Sequence, residues 1–309
     1  MKFVTFQKQN GSIRAGWLKD EQHVLDMHEA SNGVLPKNML LFLENQSFYM
    51  DYIHSTPSLR ESGKGVYSLK DVILKAPLPN PKSLRDFYAF EEHVKTARTN
   101  RGLEMIPEWY EIPVFYFSNH LAIVGPNESI PRPSECEWLD YELEIACVIG
   151  KEGRNIKAEQ AEDYIFGYCI MNDWSARDLQ RKEMKVGLGP AKGKDFATSI
   201  GPYIVTKDEL APYKVNDRYD LSMTCTVNGD LLSEGNMNDI YYSFAEMIER
   251  ASKGTTLYPG EVIGSGTVGT GCILELGTDV YRWLEPGDEV ELEITGLGVL
   301  KNTVVEDKE

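Results

Sequence analysis

Two glutamates separated by one leucine are the residues of this chain whose type and spacing point most directly to chemistry. Glu142 and Glu144 lie in the strand-like run of residues 140–149. Side chains alternate across a strand, so both carboxylates point to one face. That face continues with Ala146 and Val148, and the opposite face is apolar, which indicates a strand covered on both sides. Two carboxylates at one end of a covered strand require protons or a cation beside them.

A third acid follows a second strand of the same kind. Residues 164–171 predict another buried strand, which ends at Asn172-Asp173. If Glu142, Glu144 and Asp173 converge, each pair about 4 Å apart repels by ~4 kcal/mol at an effective dielectric of ~20. The three pairs together approach the roughly 5–15 kcal/mol stability of a whole domain. Ligation by carboxylates alone selects a hard ion, so we expect Mg²⁺, with Mn²⁺ or Ca²⁺ as alternatives.

Other motifs are weaker. Glu291-Leu292-Glu293-Ile294 repeats the tetrapeptide, but its clean alternation predicts a half-buried strand with a solvated acidic face. The G-x-G-x-x-G match at residues 264–269 precedes a strand-like segment rather than a helix, so a glycine-rich turn between strands is expected instead of a nucleotide site. Gly193-Lys194-Asp195 lacks the register and the Ser/Thr of a phosphate-binding loop.

One histidine and one helix could contribute to a site. Asp86 and His93 are seven residues apart and would share a face if their segment were helical, although this segment taken alone favours a surface histidine. Ser175-Ala176-Arg177-Asp178 fits a capping box and predicts a helix that begins beside Asp173. The spacing then places three side chains on one helix face: Arg177, Gln180 and Met184.

Composition restricts the class of protein. The chain has 309 residues and a formal net charge of -16, which argues against nucleic acid or an anionic membrane as a partner. An anionic substrate would need a local basic patch. The five cysteines form no C-x-x-C pair, and several lie in apolar strands where thiols are buried. We find no signal peptide and no run long enough to span a bilayer, so a cytoplasmic protein is expected.

The chain divides at a proline cluster. Residues 1–75 predict a small N-terminal β-containing domain, with a hairpin turn at Asn10-Gly11 and an amphipathic helix within residues 37–54. Residues 76–81 are rich in proline, and residues 76–309 form the predicted catalytic domain. No βαβα rhythm is present, which favours an α+β, β-rich fold. Strand-like runs dominate the last third, at residues 222–227, 262–264, 272–276, 290–294 and 297–305.

These segments together resemble the fumarylacetoacetate hydrolase family over about residues 76–305. The run Asn172-Asp173-Trp174-Ser175-Ala176-Arg177-Asp178 is the most specific match. The supporting matches are Arg85-Asp86-Phe87-Tyr88 with His93, Trp138-Leu139-Asp140-Tyr141-Glu142-Leu143-Glu144, Gly193-Lys194-Asp195-Phe196-Ala197-Thr198 and Ser265-Gly266-Thr267.

The resemblance implies a mixed β-sandwich roll, a homodimer, and one Mg²⁺ or Ca²⁺ per subunit. The positions that match metal ligands are Asp86, Glu142, Glu144 and Asp173, with Thr198 near the metal. His93 matches the water-activating histidine, and the positions that match oxyanion-stabilising residues are Arg177, Gln180 and Lys194. The positions that match substrate contacts are Tyr88, Tyr116 and Thr267, while Met184 replaces an aromatic contact.

Two positions depart from the family pattern. The longer hydrolases have a catalytic glutamate just after the Ser-Gly-Thr segment, but residues 268–271 contain none. The shorter hydrolases have a glutamate three residues after the histidine, where this chain has Thr96. The residue that orients His93 is therefore not identified by sequence. Residues 95–109 predict a mobile lid, whose Arg98 and Arg101 are candidates for the positive charge that binds substrate.

The function predicted from these residues is a divalent-metal-dependent hydrolase. It would cleave a carbon–carbon bond in small anionic 2,4-dioxo acids of the fumarylacetoacetate or acylpyruvate type, in the catabolism of aromatic compounds. An alternative on the same fold is an isomerase or decarboxylase of 2-hydroxy-2,4-dienedioates or oxaloacetate, which the missing glutamate favours. A metal-dependent ligand-binding protein without catalysis is the alternative of another class.

Overall fold

The computed structural model describes residues 1–61 and 63–307. The strands are β1 (Lys2–Lys8), β2 (Ile13–Leu18), β3 (His23–Asp26), β4 (Val66–Ser68), β5 (Val72–Lys75), β6 (Leu84–Phe87), β7 (Phe115–Ser118), β8 (Ile123–Val124), β9 (Ser129–Arg132), β10 (Leu139–Asp140), β11 (Leu143–Ile149), β12 (Gly153–Arg154), β13 (Ile165–Asn172), β14 (Ser175–Ala176), β15 (Thr198–Thr206), β16 (Lys214–Val215), β17 (Arg218–Tyr219), β18 (Ser222–Val227), β19 (Asp230–Asn236), β20 (Thr256–Leu257), β21 (Val262–Gly264), β22 (Glu289–Ile294) and β23 (Gly298–Glu306). The α-helices are α1 (Met27–Ala30), α2 (Met39–Glu44), α3 (Gln46–Ser55), α4 (Ser58–Glu61), α5 (Glu91–Thr99), α6 (Ala158–Ala161), α7 (Arg177–Val186), α8 (Lys207–Leu210), α9 (Phe244–Ser252) and α10 (Ile273–Leu276). Short 3₁₀ helices lie at Leu69–Asp71, Pro107–Tyr110, Glu162–Tyr164, Ala211–Tyr213 and Met237–Asp239.

Two mixed sheets organise these elements. The larger runs β4-β3-β2-β1-β15-β13-β11-β21-β6-β7, with β5 also paired to β1 and β8 to β15. The smaller runs β19-β18-β22-β23-β9. Most neighbours are antiparallel, but three pairs are parallel: β21 with β6, β23 with β9, and β15 with β8. The predicted α+β, β-rich fold class is therefore confirmed.

The strand that carries Glu144 is buried on both faces, as its alternation predicts. Leu143, Ile145 and Cys147 of β11 belong to one apolar core, and Ala146 and Val148 belong to another on the opposite face. The later Glu-Leu-Glu run in β22 is half-buried as expected, because its apolar residues enter the core while its acidic side chains face outward.

The N-terminal residues join the same sheet. The predicted hairpin forms around Gly11, whose φ of 82° lies in the left-handed region that glycine tolerates. Strand β1 pairs antiparallel with β15, and the Phe3 and Phe166 ring centroids lie 5.2 Å apart. Residues 1–75 are thus packed against the rest through shared core, and the domain division stays a prediction. The helix predicted within residues 37–54 is interrupted at Asn45, which ends α2 and precedes α3.

Two local predictions are wrong, and tertiary contacts explain both. Ser175 does not cap a helix, because it lies in β14 opposite Asp140 and its hydroxyl donates to the Asp173 carbonyl. Residues 272–276 form no strand: α10 begins there because the Asp140 carboxylate accepts from the amides of Ile273 and Leu274. The glycine-rich segment after β21 consequently leads into a short helix rather than into a strand.

In the part of the chain that the structure describes, none of the helices combines the length and the apolar character needed to cross a bilayer.

Candidate active site

The order of strands in the large sheet brings four carboxylates together. Glu142 directly precedes β11, Glu144 is its second residue, Asp173 directly follows β13, and Asp86 lies in β6. Strands β13, β11, β21 and β6 are consecutive neighbours. Gly264 lies in β21, the strand between β11 and β6, and a Cβ atom on Gly264 would come 2.5 Å from Asp86 Oδ1. The absence of a side chain at Gly264 thus lets the Asp86 carboxylate lie across β21.

The four carboxylates form a tight buried cluster. Each offers an oxygen within 4.8 Å of the others, and all four residues are buried. Each pair of charges at that separation repels by roughly 3–4 kcal/mol at an effective dielectric of ~20. Burial, with the charge of Asp173, raises the pKa of Asp86 well above its ordinary value, and burial, with the charge of Asp86, does the same for Glu144. The cluster therefore holds protons or a cation.

Lys194 supplies one of the positive charges at the cluster. Its Nζ donates to Asp173 Oδ2 at 2.6 Å and to Glu142 Oε2. Burial lowers the pKa of Lys194, but Asp173 and Glu142 outweigh that effect and raise it above its ordinary value. Burial likewise raises the pKa of Glu142, but Lys194 and Arg177 reverse this and lower it. One ammonium group does not balance four carboxylates.

Unpaired oxygens indicate that a divalent cation fits this cluster. Among the described residues, the buried Asp173 Oδ1 and Thr198 Oγ1 have no hydrogen-bond partner. Buried oxygens without partners are costly, and a bound cation would satisfy them. The cluster offers carboxylates and no imidazole or thiolate, which is the ligand set of a hard ion. That Asp86, Glu142, Glu144 and Asp173 are the metal ligands stays a prediction.

The glycine-rich segment after β21 contributes main-chain donors. The Gly266 amide donates to Asp86 Oδ1 at 3.2 Å and to Glu144 Oε2 at 3.1 Å. Gly266 has a φ of 79°, and a Cβ atom there would meet the Phe87 carbonyl oxygen at 2.5 Å. The segment therefore supplies main-chain donors to the carboxylate cluster.

His93 is buried in α5 and paired with a glutamate that the sequence did not identify. Its Nδ1 lies 2.5 Å from Glu275 Oε1, and the two side chains are 5% and 1% exposed. Glu275 belongs to α10, and its other oxygen accepts from the Thr270 amide at 3.1 Å. With Nδ1–H donated to Glu275, Nε2 of His93 keeps its lone pair and can accept a proton. The surface-histidine alternative is thereby excluded.

Arg177 is held by two acids. Its Nε donates to Asp140 Oδ2 at 2.8 Å, and its Nη2 lies 2.8 Å from Glu142 Oε1. Its Nη1 donates to Gln180 Oε1 at 3.2 Å, which leaves the amide NH₂ of Gln180 available. Asp140 also fixes the start of α10, so one carboxylate connects Arg177 to the helix that carries Glu275.

Two predicted substrate contacts, Tyr116 and Thr267, donate hydrogen bonds to the carboxylate cluster, and a third, Tyr88, packs against His93. Tyr116 donates its hydroxyl to Asp173 Oδ2 at 2.5 Å, and Thr267 donates to Glu144 Oε1 at 3.4 Å. The Tyr88 ring packs edge-on against His93 at 5.3 Å, and burial raises the pKa of Tyr88 to about 12. Whether these side chains contact substrate stays a prediction.

Among the described residues, the other two predicted substrate contacts, Met184 and Arg101, do not hydrogen-bond to the carboxylate cluster, but the positive charge of Arg101 opposes the rise in the pKa of Tyr88. Met184 is 49% exposed on α7. Arg101 is exposed, and its Nε donates to the Ala97 carbonyl. The predicted lid is anchored beside the site, because Trp109 Nε1 donates to the Tyr88 carbonyl at 2.8 Å. Arg98 donates to the Glu104 carbonyl within the same segment.

Sequence reasoning missed Glu275 and Asp140. Asp140 lies two residues before Glu142 and therefore shares the strand alternation of Glu142 and Glu144. This spacing alone could have indicated that Asp140 faces the same site. Glu275 lies eight positions after Thr267, outside residues 268–271, in a segment whose apolar pattern predicts a strand.

Comparison with known proteins supports the same family. Residues 82–305 match the family description Fumarylacetoacetate (FAA) hydrolase C-terminal. The oxaloacetate tautomerase fahd2 (mitochondrial) of Xenopus laevis is 33% identical over an alignment of 319 positions, gaps included. The alignment covers 99% of this chain and 90% of that protein. The oxaloacetate tautomerase YisK of Bacillus subtilis (strain 168) is 29% identical, over 98% of this chain and 100% of its own. Among solved structures, the fumarylacetoacetate hydrolase of Exiguobacterium antarcticum superposes with a TM-score of 0.75 at 27% identity, covering 99% of this chain and 100% of that one.

Proposed function

Because the chain belongs to the fumarylacetoacetate hydrolase family, we propose that it is a Mg²⁺-dependent keto–enol tautomerase of a 2-oxo diacid such as oxaloacetate. The observation that carries the proposal is the buried His93–Glu275 pair beside the carboxylate cluster. Two relatives that align with nearly the whole chain are named oxaloacetate tautomerases. This is the isomerase alternative rather than the hydrolase first favoured by the sequence.

Proton transfer follows from the orientation of His93. Glu275 fixes the tautomer, so Nε2 removes a proton from C3 of the diacid. The C3–H electron pair forms the C2=C3 double bond, and the carbonyl pair moves to the C2 oxygen. The protonated His93 then donates that proton to the C2 oxygen, which completes the enol and restores the neutral imidazole, so no atom is lost or gained. The reverse sequence returns the ketone.

Positive groups stabilise the charge on the C2 oxygen. Lys194 stays protonated because Asp173 and Glu142 raise its pKa, so it acts as a charge and not as an acid. The free NH₂ group of Gln180 is the neutral donor available near Arg177. Mg²⁺ held by the four carboxylates would polarise the substrate carbonyl as a Lewis acid.

The test is direct. Enol oxaloacetate is mixed with enzyme and Mg²⁺, and loss of the enol absorbance is followed against the uncatalysed rate. We expect acceleration that chelator abolishes and that His93→Gln reduces at least about a hundredfold, the lower end of general-base contributions. His54→Gln, an exposed histidine in α3, is the control. An unaccelerated enol decay, or rapid pyruvate formation that marks a decarboxylase, would contradict the proposal.

Hydrolysis of a 2,4-dioxo acid is the second candidate. The same His93–Glu275 pair could activate water instead of removing a carbon-bound proton. Incubation of acylpyruvates in oxygen-18 water separates the two, because hydrolysis must place label in a product carboxylate. Binding of dioxo acids without any turnover would instead favour the non-catalytic alternative. The homodimer is likewise a proposal, which light scattering of the purified chain would test.

A further inference from the structure

A second group of potential ligands lies in the site and differs in kind from the four carboxylates. His93, Cys272 and Glu275 each offer one ligand atom, and these atoms lie within 4.8 Å of one another in fully buried surroundings. His93 Nδ1 is 2.5 Å from Glu275 Oε1, and Cys272 Sγ is 3.6 Å from the same oxygen. Imidazole, thiolate and carboxylate are the ligand types that Zn²⁺ prefers, whereas carboxylates alone suit a hard ion.

The spacing is close to that of a tetrahedral site. Bonds of about 2.0–2.3 Å place neighbouring ligand atoms roughly 3.3–3.8 Å apart. The sulfur–oxygen distance of 3.6 Å already has this value. The nitrogen–oxygen pair would open by roughly 1 Å as the ion replaced the shared proton. Three protein ligands would leave the fourth position to water, as in open zinc sites.

We propose that His93, Cys272 and Glu275 form an inhibitory zinc site, distinct from the carboxylate cluster that is proposed to hold Mg²⁺. Binding releases the Cys272 thiol proton to solvent and forms a thiolate–zinc bond, and the Nδ1 proton of His93 moves to Nε2 as Nδ1 binds zinc. Coordination also occupies His93 and separates it from Glu275, so the base is lost while Mg²⁺ stays bound. The inhibitory consequence rests on the proposed function, but the binding itself does not. Cys272 has no part in the proposed reaction.

Cobalt provides a readout that is independent of turnover. Co²⁺ bound to a thiolate absorbs strongly in the near ultraviolet through charge transfer, and Co²⁺ bound to carboxylates does not. Among the residues that the structure describes, Cys272 is the one cysteine found in a potential metal cluster. The probe is Co²⁺ added to protein saturated with Mg²⁺. We expect a charge-transfer band that saturates at one Co²⁺ per chain, that Zn²⁺ abolishes, and whose loss parallels zinc inhibition of turnover.

Two serine variants give the matched comparison. Cys169→Ser removes another buried thiol, in β13 and within the opposite core, and should keep the band and the zinc sensitivity. Cys272→Ser should lose the band and become at least about tenfold less sensitive to Zn²⁺, the equivalent of one lost ligand. Thermal unfolding confirms that both variants fold.

Each outcome of the cobalt and zinc experiments either supports or overturns the proposed zinc site. A wild-type protein without a thiolate band overturns the proposal, whatever the variants do. Undiminished zinc inhibition in Cys272→Ser also overturns it, because zinc would then act at the carboxylates. If the chain has no tautomerase activity, the cobalt spectrum and its stoichiometry still decide the binding claim. If Cys272→Ser fails to fold, the wild-type spectrum alone decides it.

Discussion

Replacing Glu275 by glutamine tests the catalytic pair without changing its shape. Glu275 uses both oxygens, one towards His93 Nδ1 at 2.5 Å and one towards the Thr270 amide at 3.1 Å. A glutamine has one oxygen, and the Thr270 amide requires it as acceptor. The NH₂ group then faces Nδ1, which must become an acceptor, so the His93 proton moves to Nε2. The base is thereby blocked at the atom that faces substrate.

The expected loss can be bounded from this geometry. A buried hydrogen bond to a charged group contributes about 1.5–3 kcal/mol. At about 1.4 kcal/mol per factor of ten, Glu275→Gln should lower kcat/KM by roughly 10- to 150-fold. The fall should appear in kcat, because the pair is proposed to act in the transition state and the substitution leaves the predicted metal ligands unchanged.

The assay is enol decay at saturating Mg²⁺, with Mg²⁺ affinity measured separately by calorimetry. Glu108→Gln, an exposed glutamate in the predicted lid of residues 95–109, is the control and should match wild type. If Glu275→Gln keeps kcat/KM within about twofold of wild type, the loss is smaller than that expected for one hydrogen bond. His93 then does not act through Glu275.

Three further outcomes are expected. Glu144→Ala should abolish Mg²⁺ binding and activity. Glu293→Ala, in the solvated copy of the same motif, is the control and should keep both at the wild-type level. Calorimetry that shows equal Mg²⁺ affinities for the two variants would contradict the metal assignment. Gly266→Ala should destabilise the protein in urea by roughly 1–3 kcal/mol more than Gly229→Ala, because both have positive φ but only the former meets main-chain atoms; equal losses would refute the packing argument. In chelator, the raised pKa values of Asp86 and Glu144 mean that the folded state binds protons more tightly, so stability should fall as pH rises from the ordinary values of 3.8 and 4.5 through the raised ones. Glu144→Gln should flatten this slope in thermal unfolding, and an unchanged slope would sink the assignment.

Features with a local period could be predicted from the sequence. The alternation of residues in β11 predicts correctly which side chains lie on each face of the strand, because consecutive residues of a strand point to opposite faces. The same reasoning distinguished the buried Glu144 from the solvated Glu293. The sequence alone could not show that Glu142 and Glu144 meet Asp173. Their meeting depends on the order of the strands in the sheet, which is set by the whole fold.

Features fixed by distant contacts could not be predicted. His93 and Glu275 are 182 positions apart, and no spacing rule connects them. Helix α10 has four residues and depends on the Asp140 carboxylate, so its apolar run looked like a strand. Ser175 has the right neighbours for a cap, but pairing with Asp140 places it in β14.

A crystal structure with Mn²⁺ tests the central claim most directly. The account predicts one anomalous peak among Asp86, Glu142, Glu144 and Asp173, with carboxylate oxygens roughly 2.0–2.6 Å from the ion. It also predicts that Lys194 gives up at least one of its two carboxylate contacts. Manganese bound elsewhere, or the four acids closed around Lys194 without an ion at saturating metal, would contradict it.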